Sequence, residues 1–173
     1  MAALLYLIDT LLSLAQLAFL LRLLLQWARA DFRNPLLHAI VQLTNPVLVP
    51  LRRALPAAGR VDSASLVIVA GLALLSMSTL LAGMGLPPAL LWIELAALQL
   101  ARLVLWTYFF AIFLYATLAL IAPGTYSPAQ SLLGAMCEPL LRPIRRLIPP
   151  LANLDLSPLW AGILIQALLI LVR

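Results

Sequence analysis

Pro46-Val47-Leu48-Val49-Pro50-Leu51-Arg52-Arg53, followed by Pro56 and Asp62, returns 93 residues later. The second copy reads Pro139-Leu140-Leu141-Arg142-Pro143-Ile144-Arg145-Arg146, followed by Pro149 and Asp155. Pro46, Leu48, Pro50, Arg52, Arg53, Pro56 and Asp62 all meet an identical residue in the second copy, without a gap. The register holds upstream, where Pro35 matches Pro128. A repeat of this length fixes architecture before any local propensity does. In an apolar chain it points to a membrane protein built from an internal duplication.

Composition sets the class. The chain is 65% hydrophobic and only 10% charged, with a mean hydropathy of +1.10. Soluble domains carry roughly 45–50% apolar and about 25% charged residues, so the bilayer is the expected solvent. The basic residues are all Arg. They cluster beside apolar runs, which favours anionic lipid headgroups over nucleic acid as partner; no nucleic acid is expected. A single cysteine, Cys137, excludes an intrachain disulfide and a Cys-based metal cluster.

Four segments are candidates to span, each needing about 20 apolar residues. They run over about 2–27, 65–83, within 97–121, and 159–172. The fourth is short. Unbroken apolar runs read as helices, because barrel strands would alternate. Ala28-Arg29-Ala30 imitates a leader-cleavage site, but the start has no basic residue and carries Asp9, so retention is expected. Arg29, Arg33, Arg52, Arg53 and Arg60 lie between the first two segments, and Arg142, Arg145 and Arg146 between the last two. The connection around 83–92 has no basic residue, and Arg173 votes the other way. The positive-inside rule then predicts cytoplasmic repeats and periplasmic termini. The expected fold is an all-α membrane protein of four transmembrane helices, arranged as two parallel two-span repeats over 1–83 and 97–173. An outer linker covers 84–96.

Asn34-Pro35 and Ser127-Pro128 read as helix starts, a capping residue followed by proline at the first helical position. Interfacial or re-entrant helices of about ten residues are expected from them, ending before Pro46 and Pro139. The second prolines, Pro50 and Pro143, are expected to kink or break any helix that reaches them. The arginine pairs serve as a topology signal with lipid contact, or as a docking surface for a cytoplasmic or membrane protein.

Arg22-Leu23-Leu24-Leu25-Gln26-Trp27, Asp31-Phe32-Arg33-Asn34-Pro35, Pro50-Leu51-Arg52-Arg53 and Asp62-Ser63-Ala64-Ser65-Leu66 resemble the YggT family of bacterial inner-membrane proteins. The second copy resembles the same family through 139–146 and through Asp155-Leu156-Ser157-Pro158. The resemblance covers essentially the whole chain. It implies a duplicated two-span unit in the inner membrane, with relatives in chloroplasts. It also implies links to osmotic stress tolerance, to cell division or nucleoid distribution, and to assembly of thylakoid complexes. No settled biochemical activity comes with it. The copies differ where Cys137 stands opposite Thr44 and Glu138 opposite Asn45.

Tyr6, Asp9, Ser13 and Gln16 recur at helical spacing, so one face of the first span is expected to look toward protein. Asp9 plus 93 is Arg102, which suggests a pair across the repeat, or two hydrated interface residues. Arg22 is expected to snorkel to the headgroups. His38 has no ligand-type residue at a metal-binding spacing. No catalytic constellation, metal or cofactor is expected. Two function classes follow. One is a non-enzymatic scaffold or assembly factor acting through the repeated segment. The other is an ion or small-solute channel, homo-oligomeric or lined by Asp9, Ser13, Gln16 and Arg102.

Overall fold

A computed structural model describes residues 2–54, 62–85, 91–121, 127–147 and 155–172. Pro56, Arg60, Pro149 and Arg173 lie outside the described residues, as does 86–90 of the expected outer linker. Among the described residues the regular elements are six helices. They are α1 (Ala2–Trp27), α2 (Pro35–Ala54), α3 (Ser63–Gly83), α4 (Leu91–Ile121), α5 (Pro128–Leu147) and α6 (Ser157–Leu171).

Ala3–Trp27, Ser63–Leu81 and Trp92–Ile121 are long and apolar enough to cross a membrane. The third begins earlier than the sequence suggested, since α4 takes in much of the expected linker. The 15 residues of α6 are equally apolar but shorter. At about 1.5 Å per residue α6 reaches roughly 22 Å, against a hydrocarbon core of about 30 Å.

The helix boundaries have local causes. After Trp27, Arg29 takes a left-handed conformation (φ 55°). The Ala30 amide donates back to the Leu25 carbonyl and the Arg29 amide to the Gln26 carbonyl, which is a Schellman ending. Ala28-Arg29-Ala30 thus forms a helix-terminating turn, with Ala30 buried. Asn34 Oδ1 accepts from the Leu36 amide and caps α2, as its sequence predicted. Past α3, Gly85 (φ 73°) supplies the left-handed turn.

The proline-rich segments differ from expectation. Neither helix ends before its first proline: α2 runs through Pro46 and Pro50, and α5 through Pro139 and Pro143, each for 20 residues. The reason lies in the spacing of four. Residues i and i+4 share one helical face, and all four prolines are exposed. The missing amide bonds, to Gln42 and Pro46 in α2 and to Ala135 and Pro139 in α5, lie on the exposed side. The opposite faces carry Leu37, Thr44 and Leu48, and Met136, Cys137 and Leu141, all buried. Burial of that apolar stripe holds each helix together across its lost bonds.

Packing divides the chain into two compact units, 1–23 with 40–103, and 24–39 with 104–173. The core of the first includes Phe19, Leu20, Leu48, Val69 and Ala73. That of the second includes Leu25, Leu37, Ile112, Met136, Leu141 and Ile165. In the second unit Asn34 Nδ2 donates to the Pro128 carbonyl at 2.6 Å, so the first turns of α2 and α5 meet there.

Candidate functional site

In the first unit the arginine-bearing end of α2 is pinned by the residue that starts α3. Arg52 donates from Nε (3.1 Å) and Nη2 to Asp62 Oδ2, and Ser65 Oγ donates to the same oxygen at 2.6 Å. Asp62 is 1% exposed and Arg52 39%. Burial opposes the Asp62 charge, but hydrogen bonds from Arg52 and Ser65 and the fields of Arg52 and Arg22 outweigh it. They hold the carboxyl below its ordinary range.

Arg22 completes this cluster from α1. Its side chain does not snorkel; Arg22 is 5% exposed. Nη1 lies 3.2 Å from the Val41 carbonyl and 2.9 Å from Asn45 Oδ1, and also donates to Thr44 Oγ1. Thr44 Oγ1 donates onward to the Ile40 carbonyl at 2.7 Å. The polar groups of α2 at 41–45 sit within reach of Arg22, and a guanidinium prefers three protein acceptors to the membrane edge. The two prolines are bracketed, by Arg22 on the turn before and by Asp62 on the turn after.

The second unit repeats part of this arrangement. Arg145 Nε donates to Asp155 Oδ2 at 2.9 Å, again ten residues on. Asp155 Oδ1 accepts from the Ser157 amide and hydroxyl and thereby starts α6. The position equivalent to Arg22 is Tyr115, and that of Asn45 is Glu138. Arg145 Nη1 donates to Glu138 Oε2 at 2.8 Å, so this contact spans Pro139 and Pro143 within α5 itself. Burial disfavours the Arg145 charge. Hydrogen bonds with Tyr115 and Asp155 and the fields of Asp155 and Glu138 outweigh it and raise its pKa. Burial likewise opposes ionised Asp155, but bonds from Ser157 and Arg145 lower it. The exposures separate the units: Asp155 is 41% exposed and Glu138 52%, where Asp62 is almost fully enclosed. Arg53 and Arg146 project from the helix ends, exposed, with no ion-pair partner among the described residues.

The α1 polar face is also assembled in the first unit, with partners the sequence did not identify. Ser76 Oγ of α3 donates to Asp9 Oδ1 at 2.6 Å, and Gln99 Nε2 of α4 lies 3.2 Å from Ser76 Oγ. Gln16 is buried, with Nε2 unsatisfied among the described residues; Ser13 is half-buried and Tyr6 exposed. The ion pairs among the described residues do not include Asp9 with Arg102; Arg102 sits exposed on α4. Ser76 and Gln99 lay inside apolar runs, where a single polar residue in a span was the available signal. Coupling of about 0.5–3 kcal/mol is expected between Asp9→Asn and Ser76→Ala in a double-mutant cycle in detergent. Additive losses would mean the contact contributes nothing.

The chemistry of the remaining groups is limited. Burial pushes the Cys137 thiol up to about 12, which makes it a poor nucleophile. Among the described residues no three His, Cys, Asp or Glu side chains come together. His38 is exposed in the first turns of α2.

A family model described as CCB3/YggT matches residues 1–82 and 95–173. An uncharacterized protein of Pseudomonas aeruginosa is 42% identical, over 98% of this chain and 88% of its own length. The uncharacterized YggT protein of Escherichia coli is 34% identical over 97% of this chain and 88% of its own. An uncharacterized protein of Haemophilus influenzae is 32% identical over 88% and 81%. No solved structure matches the chain.

Proposed function

The chain belongs to the CCB3/YggT family, and from that premise we propose that it is a non-enzymatic scaffold or assembly factor of the bacterial inner membrane. Its fold is then four spans in two parallel two-span repeats, with α6 as the fourth span and both termini periplasmic. Its role lies in osmotic stress tolerance or in envelope and division processes. One observation carries this reading. Arg52 and Arg145, 93 residues apart, are each tied to an aspartate ten residues on. The ties fix the ends of two proline-containing helices and leave Arg53 and Arg146 presented outward. A topology signal needs charge but little shape, whereas a docking surface needs both, and Arg offers bidentate geometry that Lys lacks.

Changing Arg53 and Arg146 together to Lys should preserve membrane level and orientation but impair growth of a complemented deletion strain under osmotic challenge. Full complementation would leave these residues with charge as their only role. Orientation is checked by thiol labelling at single cysteines placed at Phe32 and Gly85, both exposed, in a Cys137→Ser background. Gly85 should label from outside and Phe32 should not; the reverse pattern would sink the topology.

A channel reading draws on the Asp9–Ser76–Gln99 cluster, since polar groups inside spans often mark solute paths. Ion flux through purified protein in liposomes, abolished by Asp9→Asn, would favour it over the scaffold.

A further inference from the structure

The second unit contains a groove of about 920 Å³ between α4 and α6. Its walls are largely apolar and include Ile112, Ala116, Gly162 and Ala167, with Gln166 the polar exception along α6. The hollow follows from small side chains: a methyl group added at Gly162 would only just touch Phe109, at 3.9 Å. Along α6 the lining runs from Pro158 to Ile170. That is about 18 Å of helix, most of the length of α6.

One end of the groove is polar. Tyr115 and Asp155 line it there. Asp155 shares Arg145 with Glu138. Two carboxylates and one guanidinium sum to a single negative charge, and both carboxylates are about half exposed. The complement is a cation that carries N–H donors and is attached to an acyl chain. Arg142, exposed on the same face of α5 and one turn from both Glu138 and Arg145, complements an adjoining phosphate.

We propose that this groove holds one aminophospholipid of the membrane, its acyl chain between α4 and α6 and its primary ammonium on Glu138 and Asp155. The first unit is not built for the same headgroup. There Asn45 replaces Glu138, Asp62 is enclosed, and Arg22 adds a positive charge. The divergence of the two copies at these positions thus acquires a reason. The inference rests on residence in a membrane and not on the scaffold role.

The test is native mass spectrometry of the full chain, stripped of lipid in detergent. Equimolar phosphatidylethanolamine, phosphatidylcholine and phosphatidylglycerol with identical acyl chains are then returned to it. Retention of one phosphatidylethanolamine, about tenfold above either competitor, is expected from charge-assisted hydrogen bonds that a quaternary ammonium cannot donate. Glu138→Gln with Asp155→Asn should erase that preference; Asn keeps an oxygen for the Ser157 amide. Ala167→Phe should abolish retention of any lipid by filling the groove, with helicity unchanged. If that variant loses helicity, Gly162→Leu fills the same space. Equal or greater retention of phosphatidylcholine or phosphatidylglycerol overturns the proposal, as does undiminished binding in a folded groove-filled variant. A dimer that dissociates on filling the groove also overturns it, because a second copy would then be the occupant.

Discussion

Replacing Arg52 with Met will destabilise the protein by about 3–5 kcal/mol, whereas replacing Arg145 with Met will cost about 1 kcal/mol or less. The two arginines occupy the same place in the repeated segment and each binds an aspartate. What differs is the aspartate left behind. Asp62 is 1% exposed, so without Arg52 it becomes a buried charge that still accepts from Ser65. Asp155 is 41% exposed, and water or headgroups can take over from Arg145. Unfolding by sodium dodecyl sulfate in mixed micelles, followed by tryptophan fluorescence, measures both. Equal costs would mean that the enclosure of Asp62 does not govern its energetics. Acid gives a second readout. In the wild type the folded pKa of Asp62 lies below the unfolded value of about 3.9. Its stabilisation is therefore present at neutral pH and lost as pH falls through the folded value. In the Arg52→Met variant, burial without its principal partner raises the Asp62 pKa, so that protein gains stability as pH falls. The gap between the two should narrow on acidification.

The sequence carried the helices and the register of the repeat, but not what the charged residues touch. Composition and the lengths of the apolar runs located α1, α3 and α4, because a bilayer imposes one length and one backbone solution. Asn34 and Ser127 located the starts of α2 and α5, because capping is local. The ends of those helices were misplaced. Proline rules assume that the lost bond cannot be compensated, and here exposure of one face and burial of the other decide otherwise. For Asp9 the repeat arithmetic offers either a pair with Arg102 or hydration of both at the interface. The structure supplies Ser76, a hydroxyl 67 residues away that no spacing rule points to. The sequence places Arg22 at the membrane edge because long basic side chains near span ends usually snorkel there. Its actual acceptors, at 41–45, are on α2, and the packing of α1 against α2 leaves no local mark in the sequence; the turn before Pro46 depends in turn on Arg22.

That dependence makes Arg22 the second large expectation. Arg22→Met should cost about 2–4 kcal/mol, from the loss of hydrogen bonds between a charged donor and acceptors inside the protein. Arg22→Lys should recover a part of it, because an ammonium keeps the charge but not the reach and fork of the guanidinium. The damage should concentrate in α2. Amide exchange at Thr44, Asn45 and Val47 to Val49, just before and between the prolines, should accelerate more than exchange in α3. The turn before Pro46 is held by Arg22, while the turn after Pro50 keeps its tie to Asp62. The second copy supplies the control. Tyr115 stands where Arg22 does, and α5 closes across its own prolines through Glu138 and Arg145. Glu138→Gln should therefore raise exchange at residues 137–142, while Tyr115→Phe, which removes one hydrogen bond from Arg145 but leaves its carboxylate partners, should raise it less. If Arg22→Met loosens α3 as much as α2, Arg22 supports the bundle as a whole and does not specifically brace the proline-containing helix.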